Sequence, residues 1–271
     1  MTTARPCLVG VPWDGSSSFL RGAALAPPVI RAALHSPSGN SWSEDLRDLA
    51  EPGAVADAGD LALSHDAAQA RSAIEAGIAA VLAEGARPIA LGGDHSVTYP
   101  IFRAIHRAHP SATILHIDAH GDLYDVFEGD RYSHACPFAR ILEERLAGRL
   151  VQVGIRTLTG HQRAQAERFG VEVIDMRAWA GGARPRVDGP LYLSLDLDGI
   201  DPAFAPGVGH REPGGLTVRE VLGLIQDAGG TLIGADVVEL NPHQDGSGMT
   251  AAVAAKLVKE ICARILRAPN R

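Results

Sequence analysis

The sequence predicts a three-layer α/β/α fold around a mainly parallel sheet, and three observations carry that expectation. Short apolar runs bounded by turn residues recur along the chain, as strands buried on both faces do. Segments with apolar residues at helical spacing separate them, which is the pattern of βαβ units. The 271 residues are 46% hydrophobic and 21% charged, enough to bury one large core. No repeat, low-complexity tract or linker interrupts the pattern, so residues 1–271 read as one domain.

The first apolar run, 7–11, is too short for a signal peptide and reads as the opening strand. Residues 36–60, rich in Ser, Gly, Asp and Pro, read as an irregular excursion. Further strands are expected at 88–91, 113–117, 150–155, 171–174, 191–197 and 232–238. Helices are expected at 67–84, 97–108, 134–147, 160–169, 217–228 and 248–267. Ser96 and Ser133 stand where helix caps are expected, and Thr217 with Glu220 forms a capping box.

There are 25 Lys and Arg against 32 Asp and Glu, a formal net charge of −7. That balance, with no long basic run, argues against a nucleic-acid or anionic-membrane surface. No apolar stretch reaches the length of about 18 residues that a transmembrane helix needs. Cys7, Cys136 and Cys262 are widely spaced and in no CxxC pattern, so no disulfide framework is expected and the location reads as cytoplasmic. Cys136 reads as a packing residue, since no motif marks it as activated.

In an open parallel sheet the ligand site lies outside the carboxyl ends of the strands. Three expected strands end in Leu91-Gly92-Gly93-Asp94-His95, in Leu115-His116-Ile117-Asp118-Ala119-His120-Gly121-Asp122 and in Leu195-Asp196-Leu197-Asp198-Gly199-Ile200-Asp201. They deliver His95, Asp118, His120, Asp122, Asp196 and Asp198 to one end of the sheet. Residues two apart on a strand share a side, which pairs Asp118 with His120 and Asp196 with Asp198. Gly121 is expected to let the chain turn before Asp122.

Taken singly, each of these residues is ordinary as a cap, turn or core group. Together, four carboxylates in a partly buried site would repel and raise one another's pKa. Two divalent ions remove that cost, and neutral imidazoles complete the coordination. A nitrogen and oxygen ligand set without thiolate favours manganese, or iron, cobalt, nickel or zinc, over calcium. Two such ions about 3.5–4 Å apart activate a water at neutral pH, so the residues point to a dinuclear metallohydrolase.

Glu239, in Ala235-Asp236-Val237-Val238-Glu239-Leu240-Asn241-Pro242, adds a carboxylate at the same end, where it can grip a planar cationic fork. A loop cap or salt-bridge partner is its ordinary reading, and Asp236 within the strand reads as structural. His134, in Ser133-His134-Ala135-Cys136-Pro137, stands at an expected helix start over the site and is placed to carry protons. A surface histidine is its ordinary reading.

Six segments share content and order with a known family: Gly92-Gly93-Asp94-His95-Ser96, Asp118-Ala119-His120-Gly121-Asp122, Ser133-His134, Ser194-Leu195-Asp196-Leu197-Asp198-Gly199-Ile200-Asp201-Pro202, Pro213-Gly214-Gly215-Leu216 and Asp236-Val237-Val238-Glu239-Leu240-Asn241-Pro242. The chain resembles the ureohydrolases, the arginases, agmatinases and relatives that hydrolyse a guanidino group to urea and an amine. LVGVPWDGSSSFLRGAALAPPVIR resembles their opening strand, loop and helix, and 122–135 looks most like the plant arginase branch, which is close to bacterial agmatinases.

The resemblance implies an arginase-like fold and two manganese ions. One ion would take His95, Asp118, Asp122 and Asp196; the other would take His120, Asp118, Asp196 and Asp198, with Asp118 and Asp196 bridging. Asp122 would also hold the proton of the attacking hydroxide, His134 would relay a proton to the leaving amine, and Glu239 would anchor the guanidinium. The substrate implied is L-arginine, giving urea and L-ornithine, with agmatine or a guanidino acid as alternatives. A homo-oligomer, trimer or hexamer, is implied as well.

A two-metal phosphoesterase is the remote alternative, but no Lys or Arg motif stands beside the ligands to hold phosphate. A metal-free regulatory scaffold would require a lost ligand, and all six are present. The chain departs from the family at Gly121, which replaces Thr, Ala or Pro. It departs again at Pro206-Gly207-Val208-Gly209-His210-Arg211-Glu212-Pro213, where His210 and Arg211 have no assigned role; Arg211 reads as a solvated loop residue, with a place at the pocket mouth facing a carboxylate as the alternative. Thr157 and Thr159 stand where animal arginases carry acids near the α-amino group, which weakens the case for arginine.

Overall fold

A computed structural model describes residues 5–267. The strands are β1 (Pro6–Gly10), β2 (Ala56–Asp60), β3 (Arg87–Leu91), β4 (Thr113–Ile117), β5 (Arg149–Ile155), β6 (Glu172–Asp175), β7 (Val187–Asp196) and β8 (Gly229–Val238). They form one sheet in the order β2-β1-β3-β8-β7-β4-β5-β6. Every pairing is parallel, so the mainly parallel sheet of the sequence reading is wholly parallel.

The helices are α1 (Ala26–Leu34), α2 (Ala67–Ala83), α3 (Thr98–Ala108), α4 (Pro137–Glu143), α5 (Gly160–Phe169), α6 (Met176–Ala180), α7 (Val218–Asp227) and α8 (Met249–Leu266). They cover both faces, giving two cores. One holds Ile30 of α1, Trp179 of α6, Val221 of α7 and Leu257 of α8. The other holds Ile74 of α2, Phe102 of α3, Phe138 of α4 and Ala166 of α5. Because β3, β8, β7 and β4 lie between these layers, their inner residues Ile89, Val237, Leu195 and Ile117 are fully buried.

Local chemistry overrides the sequence expectation in several places. The excursion at 36–60 contains β2, an edge strand with no apolar run. It is held by its ladder to β1 and by Arg31 of α1, whose Nε lies 2.7 Å from Asp57 Oδ2. The short helix α6 also lacks a periodic apolar pattern; Asp175 caps it by accepting from Ala178 N–H at 2.7 Å. Ser96 is not a helix cap, because Asp94 caps a 3-10 turn, His95–Val97, that leads into α3. Ser133 is not one either: α4 begins only at Pro137, so His134 sits in a turn ahead of the helix rather than at its start. The capping box of Thr217 and Glu220 is formed.

All three cysteines are unpaired and buried, and burial pushes the Cys136 thiol up to about 12, as a packing residue requires. Among the described residues no helix is long and apolar enough to cross a membrane.

Candidate metal centre and substrate cavity

Four adjacent strands, β3, β8, β7 and β4, end on the same side of the sheet and hand over His95, Glu239, Asp196 and Asp118 in turn. Asp196 is the last residue of β7, but Asp198 lies in a 3-10 turn and Asp118 just past β4. The pairs two residues apart are therefore brought together by turns and not by strand pleat. Asp118 Oδ1 accepts from His120 N–H at 2.6 Å, and Asp196 Oδ1 accepts from Asp198 N–H at 2.8 Å. Gly199 lets these two turns touch, since a Cβ there would lie 2.8 Å from Asp118 N. The sharp turn expected at Gly121 falls instead on Asp122, whose φ is 48°.

His95 is fully buried, and its Nδ1 lies 3.1 Å from Asp118 Oδ2, 3.0 Å from Asp122 Oδ2 and 3.1 Å from Asp196 Oδ2. None of these contacts is a hydrogen bond; Nδ1 is a buried nitrogen with no partner. On the other edge of the ring, Nε2 lies 3.0 Å from Ser194 Oγ, and Ser194 Oγ lies 2.8 Å from Asp236 Oδ1. The hydroxyl has one proton to give, and the carboxylate of Asp236 takes it. Nε2 must then be the N–H of the neutral ring, which leaves the Nδ1 lone pair facing three carboxylates. Such an arrangement requires a positive charge at that point. Without a metal ion the ring must take a second proton, and although burial opposes this, the three aspartates raise the His95 pKa well above its usual value.

His120 occupies the more open side, its side chain 29% exposed. Its Nδ1 lies 3.0 Å from Asp198 Oδ2 and 3.3 Å from Asp118 Oδ1. Burial disfavours its charge, but Asp198 and Asp118 raise its pKa. Burial and mutual repulsion raise Asp196 well above the carboxylate range and Asp198 to about 6. Asp118 moves the other way: burial opposes its charge, but His116, His120 and His95 pull it well below the usual value. The six residues singled out from the sequence are thus brought into one cluster, with Asp118 between the two histidines. His95 with Asp118, and His120 with Asp118 and Asp198, fall within groups able to hold a metal ion. The donor set of imidazole nitrogens and carboxylate oxygens fits divalent transition ions.

His116, absent from the sequence reading, falls in the first of those groups too. Its nitrogens are already engaged. Gln152 Nε2 donates to Gly121 O at 2.6 Å and reaches His116 Nδ1 at 3.0 Å, so His116 donates from Nε2 to Asp118 Oδ2 at 2.7 Å. His116 holds Asp118 in place and is not a free ligand; burial keeps it neutral. Asp236 accepts from Thr98 Oγ1, Tyr192 Oη and Ser194 Oγ, the structural role expected of it.

Glu239 follows β8 with a φ of 66°. Its Oε1 accepts from His95 N–H at 2.9 Å and lies 3.1 Å from His134 Nδ1. His134 Nε2 lies 2.9 Å from Ser18 Oγ. Burial disfavours the His134 charge, yet the Glu239 carboxylate outweighs it and raises the pKa to about 9. Asp94 secures the loop carrying Ser18: it accepts from Ser16 N–H at 2.9 Å, and the close pass of Trp13 O leaves no room for a Cβ at Gly93.

A cavity of about 260 Å³ opens above the cluster. Asp122, His120, Asp196, Asp198, Glu239 and His134 form its floor side, with Ser18, Tyr124, Phe127, Thr157, Gln162, His210 and Glu212 among the other lining residues. His210 stands with its ring centroid 5.1 Å from that of His134. Arg211 does not line the cavity; it is exposed, with Nε donating to Pro206 O at 2.7 Å. Thr157 lines the cavity, whereas Thr159 caps α5.

A model of the arginase family matches residues 4–263. "Arginase 1, mitochondrial" of Arabidopsis thaliana is 45% identical over 279 residues, covering 97% of this chain and 81% of that protein. A guanidinobutyrase of Pseudomonas aeruginosa is 35% identical, covering 93% of this chain and 84% of its own. Among solved structures, the arginase from Medicago truncatula superposes with a TM-score of 0.91 at 41% identity, over 97% of this chain and 88% of that one.

Proposed function

The chain belongs to the arginase family, whose members are hydrolases of guanidino compounds, and from that premise we propose that it converts L-arginine to urea and L-ornithine with two manganese ions. The observation that carries this reading is the buried His95 Nδ1, whose lone pair faces three carboxylate oxygens beside the Glu239 carboxylate.

His95, Asp118, Asp122 and Asp196 would hold one ion, and His120, Asp118, Asp196 and Asp198 the other. When bound, such a pair supplies a water activated for attack at neutral pH. Asp122, lining the cavity, holds the proton of that water. Glu239 binds the guanidinium; its Oε1 is occupied by His95 N–H and His134, and Oε2 has no hydrogen-bond partner among the described residues. Glu239 favours the charged form of His134, and Nε2, which faces Ser18 N–H at 3.3 Å and Ser18 Oγ at 2.9 Å, would turn from Ser18 to give its proton to the departing amine. Tyr124 and Phe127, on the loop that follows β4, line the cavity.

Agmatine is the second reading, and one observation favours it: among the described residues no Lys or Arg lines the cavity to meet the α-carboxylate of arginine. The same absence counts against a phosphoesterase. We also propose one domain, assembled as a trimer or hexamer, and a cytoplasmic location; the plant relatives carry mitochondrial or chloroplastic names of their own. Urea release with manganese, measured on L-arginine, agmatine, guanidinobutyrate and guanidinopropionate, tests the reading. L-arginine should rank first and a chelator should abolish release. No urea from any of the four would overturn it.

A further inference from the structure

The loop between Pro206 and Leu216 supplies a cavity residue that the chemistry above does not use. Glu212 lines the cavity, and among the described residues its carboxylate has neither a hydrogen bond nor an ion pair. The other lining acids, Asp122, Asp196, Asp198 and Glu239, each lie against a histidine of the cluster.

Glu212 is nevertheless held firmly by its backbone. Arg156 donates to Glu212 O from Nε at 3.0 Å and from Nη2 at 2.5 Å. The same guanidinium donates to Asp198 O at 2.7 Å and Gly199 O at 3.2 Å, which ties Glu212 to the turn carrying a proposed ligand. On the far side, Asp201 Oδ2 accepts from Gly214 N–H at 2.6 Å and Gly215 N–H at 3.0 Å. The fixed backbone keeps the carboxylate within reach of the cavity, so binding a partner costs only the freedom of the side chain itself.

The charge of the surroundings identifies that partner. No Lys or Arg among the described residues lines the cavity, and Arg211, next in sequence, is turned to Pro206 O and Gln244 Oε1. A guanidinium seated at Glu239 leaves the other end of the substrate to the remaining lining. An ammonium there finds an unpaired carboxylate, whereas a carboxylate meets the like charge of Glu212, with no Lys or Arg among the described lining residues to offset it.

We propose that Glu212 selects substrates whose far end carries an ammonium group, the α-amino of an amino acid or the amine of a decarboxylated analogue, and rejects guanidino acids. This rests on the ureohydrolase reading above and adds the recognition of the second end.

The test compares wild type with Glu212→Gln and Glu212→Lys on arginine, agmatine and guanidinobutyrate, with bound manganese measured in parallel. Glu212→Gln should lower kcat/KM for both amine substrates by about 10- to 100-fold, mainly through KM, and leave guanidinobutyrate unaffected or improved. Glu212→Lys should shift the preference toward guanidinobutyrate. Inhibition by ornithine should weaken in both variants while inhibition by δ-aminovalerate, which lacks the α-amino group, does not. Manganese content should not change. Equal losses on all three substrates, or no loss on any, would overturn the role of Glu212 and leave the ureohydrolase reading standing. A wild type that hydrolyses none of them would overturn both.

Discussion

The cavity has two walls of different construction. The inner wall, His95, Asp118, Asp196 and Glu239, stands on four adjacent strand ends, each side chain fixed by a partner. The outer wall, Ser18, Tyr124, Thr157, His210 and Glu212, stands on connecting loops; Ser18 Oγ meets His134 and Thr157 Oγ1 donates to Ala119 O, while the Glu212 carboxylate has no hydrogen bond among the described residues. Two properties are thereby separated in space. Groups that must be placed to a fraction of an ångström are built on the sheet, and groups that discriminate among substrates are carried by segments free to vary.

Substitutions on either wall put that division of labour to the test. The largest effect is expected on the inner wall at Asp196, whose Oδ2 meets His95 and whose Oδ1 positions Asp198. Asp196→Ala should release both ions and end urea formation on every guanidino substrate, as metal analysis would show. His95→Ala, which strips one side only, should be milder. Equal, modest losses in the two variants would mean that the cluster is not shared.

Next comes His134, which joins the walls through Glu239 and Ser18. His134→Asn should lower kcat by about 10²- to 10⁴-fold with bound manganese unchanged. The native rate should fall as pH rises through about 9, where His134 loses its proton, and the variant should lack that limb. The folded pKa is raised, so the stability contributed by the pair is fully present below the ordinary histidine value and is lost as pH rises through about 9. A variant that sheds its metal would turn His134 from a proton carrier into a support.

Glu239→Gln should cost about 10- to 100-fold in kcat/KM, the loss of a charged hydrogen-bond acceptor, while the amide oxygen still accepts from His95 N–H. Behind the wall, Ser194→Ala removes the acceptor of His95 Nε2–H and should weaken manganese binding by about 10- to 100-fold, with KM for arginine unmoved at saturating metal. The smallest effect is expected from Arg211→Ala, which should not alter the ranking of substrates; a changed ranking would place Arg211 in the outer wall after all.

The inner wall was legible in the sequence for a physical reason. Acids and imidazoles at the ends of apolar runs violate the pattern around them, and four carboxylates at one place demand compensation. Its supports were less visible. His116 and Asp236 sit inside strands, where spacing offers no reason to single them out, and Ser194 and Gln152 are common strand residues whose roles arise only from pairing across β4, β5, β7 and β8. The same limit hid β2, which has no apolar run and exists through its ladder to β1. The motif marks His134, but the helical spacing that predicts a helix from residue 134 overlooks Pro137, which suits the first helical position and starts α4 a turn later. The role of Glu212 emerges only once Arg156 is seen to hold its carbonyl, a contact spanning 56 residues.

Asp122 and Glu239 both hold left-handed backbone, at φ of 48° and 66°, where a side chain costs about 1–2 kcal/mol relative to glycine. At Glu239 that strain is opposed by what the carboxylate holds, since glycine there would leave the buried His95 N–H and the His134 ring without their partner. Relieving the backbone at this position would therefore trade a strained residue for two unsatisfied groups, and the strain persists because the surrounding contacts over-determine it.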